Sequence, residues 1–262
     1  MTDMLPTLFI SHGSPMTALE DTAAHRFLAT LGTLVPRPKA VLAVSAHWET
    51  NIPAVSTTAQ NTTIHDFYGF PPPLYQLHYN APGAPDVAER TAALLHAAGM
   101  QVGADPQRGL DHGAWVPLLL AWPEADIPVT QLSVQTHLGA AHHLALGAAL
   151  APLREEGVLI MASGSYTHDL RRFRRGIDLA APETPDVTAF SDWMHGKIMD
   201  MDFAALADYR AQAPYARDEH PTDEHLLPLH VAMGAAGTRA KAERLHSSVE
   251  FGFLRMDSYA FN

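Results

Sequence analysis

Val158-Leu159-Ile160-Met161-Ala162-Ser163-Gly164-Ser165-Tyr166-Thr167-His168 passes from an unbroken apolar run through small residues to a histidine. Consecutive apolar residues without alternation suit a strand covered by helices on both faces, because a strand with one wet face would alternate. Two other stretches have the same build. Leu8-Phe9-Ile10 leads into Ser11-His12-Gly13-Ser14-Pro15, and Ala40-Val41-Leu42-Ala43-Val44 leads into Ser45-Ala46-His47-Trp48. A fourth run, Val129-Thr130-Gln131-Leu132-Ser133-Val134, follows Pro128 and is less apolar. Helices are expected between the strands, over 86–98 before Gly99, 140–156 before Gly157, 186–199 after Pro185 and 222–235 before Gly237. Glycine suits the left-handed residue that closes a helix. The segment 247–259 alternates in part and reads as a closing strand. This alternation implies an α/β fold, with a central mostly parallel or mixed sheet flanked by helices on both faces.

The 262 residues contain no Gly/Ser-rich linker and no charge block, so one domain over 1–262 is expected. No apolar stretch reaches the ~18 residues that a membrane span needs. The opening Met-Thr-Asp-Met-Leu-Pro lacks a basic leader, and a cytoplasmic protein is expected. Cysteine is absent, which excludes disulfides, thiolate ligands and cysteine nucleophiles and leaves only nitrogen and oxygen to hold a metal. A formal charge of −11 argues against nucleic acid or an anionic membrane as partner. The basic run Arg171-Arg172-Phe173-Arg174-Arg175 reads as a solvated surface.

Sixteen histidines is a high count, and position decides which of them matter. Ligands of open α/β sheets bind beyond the carboxyl ends of the strands. His12, His47 and His168 all follow apolar strands there, so three chain-distant imidazoles would converge on one crevice, as a mononuclear metal site requires. A further ligand is available in Thr222-Asp223-Glu224-His225, read as a helix start with Thr222 as a possible cap. Adjacent helical residues point about 100° apart, so Glu224 and His225 would not both face the metal. His112, in Gly109-Leu110-Asp111-His112-Gly113-Ala114-Trp115, precedes an apolar helix over 116–122. It suits an acid/base facing substrate, and a helix-capping turn made by Asp111 is the competing account. Phe67, Tyr68, Phe70, Tyr75 and Tyr79 gather around the stiff Gly-Phe-Pro-Pro-Pro loop at 69–73, beside His65 and His78. A flat apolar pocket wall or ordinary packing under a long loop would both explain them.

These motifs occur in order: Ser-His-Gly-Ser-Pro at 11–15, Ser-Ala-His-Trp at 45–48, Thr-Ile-His-Asp-Phe-Tyr-Gly-Phe-Pro at 63–71 and Asp-His-Gly-Ala-Trp at 111–115. Ser-Gly-Ser-Tyr-Thr-His at 163–168 and His-Pro-Thr-Asp-Glu-His at 220–225 follow. The set resembles the LigB-type class III extradiol ring-cleavage dioxygenases, in the branch similar to 4,5-DOPA dioxygenase. That resemblance implies His12, His47 and His225 as metal ligands, with His168 and His112 as acid/base residues. It implies Fe(II) for catalysis, a site that Zn(II) can also fill, and a small aromatic diol and O2 as substrates, in a chain that can form a homo-oligomer. Many class III members carry a glutamate as third ligand, which keeps Glu224 in play beside His225. Tyr166 stands where the family usually has a small residue. It is expected either to line the substrate pocket with His65 and Phe70 or to pack away from it. The rival reading is a zinc-dependent hydrolase or non-oxidative lyase on the same scaffold, since histidines around a metal-bound water would serve it too.

Overall fold

Four parallel strands form the centre of the molecule. In a computed structural model describing residues 4–262 they are β1 (Thr7–Ser11), β2 (Ala40–Glu49), β5 (Val129–Val134) and β6 (Val158–Gly164), side by side as β5-β2-β6-β1. Beyond β5 lie the short strands β3 (Ala54–Ser56) and β4 (Gly103–Asp105). Beyond β1 lie β10 (Ser258–Phe261) and β7 (Ala242–His246), both antiparallel to their neighbours. The sheet is therefore mixed, with its parallel part in the middle.

Every residue of β6 is buried, and its side chains feed two cores in turn. Ile160 and Ala162 pack on one face with the helices Gly139–Leu150 and Leu227–Ala236. Leu159 and Met161 pack on the other with Ala23–Leu34 and His112–Ala121. Coverage of both faces is why alternation is missing from the sequence.

Gly139–Leu150 and Leu227–Ala236 approach backbone to backbone. A Cβ on Gly147 would fall 2.2 Å from the Val231 carbonyl oxygen, and one on Gly234 would fall 2.1 Å from that of Leu144. Larger residues at either place would push apart the helix that follows His225.

Three expected elements differ in extent, each for a local reason. The helix expected over 222–235 begins at Leu227, with Pro228 in its first turn. Proline lacks the donor that a helix interior needs and fits only a first turn, so the helix cannot run back through 222–226 and Thr222 caps nothing. The helix over 140–156 divides at Pro152 into Gly139–Leu150 and Pro152–Glu155. The segment 247–259 makes a small pair, β8 (Val249–Glu250) with β9 (Leu254–Arg255), before β10, because Phe251 and Gly252 take positive φ and reverse the chain. Among the described residues, no helix is long and apolar enough to cross a membrane.

Candidate metal centre and its histidines

The carboxyl ends of β1, β2 and β6 are neighbours in register. Ser11 lies opposite Gly164, Ser45 opposite Ser163, and the His12 amide donates to the Gly164 carbonyl at 3.0 Å. Against β5, β2 loses register between Val44 and Glu49, so that Val44 faces Leu132 while Glu49 faces Val134. The surplus residues of β2 bulge out of the ladder and carry His47 forward, as strand bulges beside functional sites commonly do. His225 arrives from the turn before Leu227–Ala236. Its carbonyl accepts from the Ser165 amide at 2.8 Å, which ties that turn to the end of β6.

His47 Nε2 stands 3.0 Å from His12 Nε2 and 3.2 Å from His225 Nε2. The outer nitrogens of two of these rings are hydrogen-bonded, and that of the third lies near a carboxylate. His12 Nδ1 lies 3.0 Å from Ser163 Oγ, whose own hydrogen goes to the Gly113 carbonyl, so the ring must be the donor. His225 Nδ1 donates to Glu224 Oε1 at 3.0 Å, and His47 Nδ1 lies 3.5 Å from Asp66 Oδ2. Each Nδ1 holding a hydrogen leaves its Nε2 with a bare lone pair. Burial, reinforced by the neighbouring imidazoles, keeps all three rings neutral. It drives His12 and His225 well below the usual histidine range and His47 down to about 4.

Three bare lone pairs at such short range repel one another unless a cation lies between them. Nitrogens ~2.1 Å from one ion would stand roughly 3.0–3.4 Å apart, the spacing seen here. The donor set, the spacing and the outer hydrogen bonds therefore fit a divalent transition metal. Gly113 makes the crowding possible: a Cβ there would lie 2.5 Å from Ser45 Oγ, 3.1 Å from His47 Cδ2 and 3.2 Å from His12 Cε1.

Two further imidazoles border the cluster. The His168 ring stacks on that of His225 with centroids 3.4 Å apart and planes 14° apart, and its Nδ1 is 4.0 Å from Glu224 Oε1. Burial first, then His220, His47 and His112, lower its pKa to about 3. The His112 ring lies 4.0 Å from that of His47 and 5.3 Å from that of His12. Asp111 accepts from the Ala114 amide and caps the helix that His112 begins, so the capping turn and the inward histidine coexist. Asp66 Oδ1 accepts from both the amide and Nδ1 of His112 at 3.0 Å. Burial alone would raise the Asp66 carboxyl, but these bonds outweigh it and hold it near 2.

A family model described as the catalytic LigB subunit of aromatic ring-opening dioxygenase matches residues 6–262. The chain belongs to the LigB family of class III extradiol dioxygenases. It is an extradiol aromatic ring-opening dioxygenase, an oxidoreductase. Among proteins similar to this LigB chain is 4,5-DOPA dioxygenase extradiol of Beta vulgaris, 48% identical over 259 residues and covering 97% of this chain and 96% of that one. The Escherichia coli K12 protein of the same name is 38% identical over 258 residues, covering 96% and 93%. A crystal structure of an uncharacterized Escherichia coli K12 protein superposes with a TM-score of 0.83 at 34% identity, covering 98% of this chain and all of that one.

Of the expected site residues in this LigB chain, His12, His47, His225, His168 and His112 come together. Glu224 reaches the outer nitrogen of His225, on the opposite side of the ring from His47. Tyr166 does not line the crevice. It is fully buried in the core against Phe9 and Tyr259, with its hydroxyl donating to the Ser191 carbonyl at 3.2 Å. Strand-end geometry turns its side chain inward while the chain continues to His168. His65 and Phe70 also stand back from the histidines. His65 bonds the Leu77 carbonyl through Nε2, and Phe70 packs on Phe67. Phe67 instead meets His112, edge to face at 5.7 Å. Phe67 is one of the loop aromatics read above as a pocket wall or as ordinary packing. Asp66 was missed as a site residue; its only sequence signal is its position directly after His65 in the aromatic loop.

Proposed function

We propose that this dioxygenase uses Fe(II), held by His12, His47 and His225, to open a catechol-type ring beside its diol with both atoms of O2 entering the product. The observation that carries this reading is the meeting of three neutral Nε2 atoms at 3.0 and 3.2 Å, flanked by the rings of His168 and His112. Bound iron(II) supplies the one-electron centre that O2 needs to react with a closed-shell diol, and three protein ligands leave positions for both. Zinc fits the same nitrogens and would occupy them without supporting turnover.

His168 is neutral and buried beside the ligands, so it accepts a proton from a diol hydroxyl and later returns it to the departing oxygen. His112 keeps its Nδ1 hydrogen on Asp66, which leaves Nε2 as its working nitrogen. Phe67 offers an aromatic edge beside that ring. Relatives from beet, Mirabilis jalapa, Portulaca grandiflora and Escherichia coli carry the name 4,5-DOPA dioxygenase extradiol, which supports a DOPA-like diol as substrate. No observation favours a zinc hydrolase or lyase over this chemistry.

The test is anaerobic loading with Fe(II) followed by air and a panel of catechols. Oxygen uptake with a yellow ring-opened product is expected. His168→Ala should keep its iron and lose turnover by about 10²–10⁴-fold. Metal-dependent hydrolysis without oxygen uptake would overturn the proposal, and full iron occupancy in His12→Ala would remove that ligand.

A further inference from the structure

We propose that Asp66 is a positioning residue that orients two functional histidines at once, turning His47 Nε2 toward the metal and His112 Nε2 toward the substrate. The inference rests on the reading of His47 as ligand and His112 as acid/base.

The two rings lie close, with centroids 4.0 Å apart and planes tilted by 49°, and one carboxylate lies behind both. Asp66 Oδ1 takes the ring Nδ1 hydrogen and the backbone amide hydrogen of His112, each at 3.0 Å, while Oδ2 stands 3.5 Å from His47 Nδ1. An ionised carboxylate only accepts, so each ring nitrogen that faces it carries the hydrogen and the opposite nitrogen carries the lone pair. Carboxylates behind ligating histidines fix the ring and its tautomer in this way. The His112 amide is also the first of the helix His112–Ala121, where amides lack helical partners and the dipole favours an anion. The loop that presents Asp66 is anchored two residues before it, at Ile64. Ile64 donates its amide to the Leu110 carbonyl at 2.8 Å, and its own carbonyl accepts from Trp115 Nε1 at 3.0 Å. A rigid loop, a helix start and two imidazoles therefore converge on one side chain.

Asp66→Asn keeps the shape but offers one acceptor oxygen and an NH2 group in place of two acceptors. Zinc serves as a diamagnetic probe, its affinity measured by chelator competition and histidine tautomers by nitrogen-15 NMR. In the zinc-loaded wild type, His112 is expected to be protonated at Nδ1 and bare at Nε2. In Asp66→Asn, zinc affinity should fall tenfold to a hundredfold, and His112 should shift toward the Nε2-protonated form. A merely structural role would not move that tautomer. Affinity within threefold of wild type, or an unchanged His112 tautomer, overturns the double role. Should Asp66→Asn fail to fold, the wild-type spectrum decides alone, because a proton on His112 Nε2 refutes the proposal. Zinc binding that survives His12→Ala and His47→Ala would instead remove the ligand reading, and the proposal with it.

Discussion

A single serine hydroxyl decides which nitrogen of His12 faces the cluster. Ser163 has one hydrogen and gives it to the Gly113 carbonyl, so it can only accept from His12. Gly113 itself leaves the space in which the rings of His12 and His47 meet. Gly113→Ala should therefore cost metal affinity at least tenfold while the helix around it, in which alanine is favoured, stays formed. Chelator competition and far-ultraviolet dichroism measure the two separately, and unchanged affinity would refute the crowding argument. Away from the metal, Glu219 is fully buried, with one oxygen 2.9 Å from Arg172 and the other without a partner among the described residues. Burial raises its pKa to about 7 against the pull of Arg172. A carboxyl raised on folding favours the native state below its unfolded pKa of ~4.3, and that benefit is lost as pH climbs through the folded value. Relative to Glu219→Gln, wild-type stability should fall between about pH 4.5 and 7; a difference in melting temperature that stays constant across that window would contradict the assignment.

Among the elements, the helix His112–Ala121 does most to organise the centre, and its proline is the reason. Pro117 has no amide hydrogen, so the carbonyl four residues earlier, that of Gly113, receives no helical bond. Ser163 on β6 fills the place, and its hydrogen-bond direction passes to His12. Pro117→Ala restores an amide that competes for that carbonyl and frees Ser163 to donate to the imidazole. The variant should melt no lower than wild type yet bind metal about tenfold more weakly, by analogy with other losses behind a ligand. Equal affinities would show that the proline is only tolerated. The start of the helix expected over 222–235 and the choice between the two places open to Tyr166 were decided at this same scale. Pro228 could have been read as a helix start, because its place in a first turn is local chemistry. The inward turn of Tyr166 could not, since Phe9 and Ser191, the residues that receive it, are distant in sequence.

Across the whole molecule, the last strand guards the first. β10 pairs antiparallel with β1 and separates it from β7, so the carrier of His12 is an interior strand only while the C-terminus is in place. Arg154 braces the same region. Among the described residues it is buried without a carboxylate partner, and its guanidinium donates to the carbonyls of Leu5, Ala236 and Phe261. Ala236 ends the helix Leu227–Ala236, where the dipole favours a cation. Ending the chain before Ser258 would strip both supports and leave β1 as an unpaired edge open to other chains. Such a truncation should aggregate on expression, as size-exclusion chromatography would show; a monodisperse product with native melting would disprove this role.

The sequence by itself determined the layered α/β architecture, since the apolar strands carry their double burial in composition. It also determined a nitrogen-and-oxygen metal site at the strand ends, because cysteine is absent and the histidines follow the apolar runs. Only the tertiary structure decided which nitrogen each imidazole presents and which aromatic residue reaches the cluster. Those outcomes depend on hydrogen bonds between residues 151 positions apart, as for His12 and Ser163, or 46 apart, as for His112 and Asp66. Local propensity and periodicity extend over a few residues, whereas a tautomer is set by whichever acceptor the completed fold brings within about 3 Å.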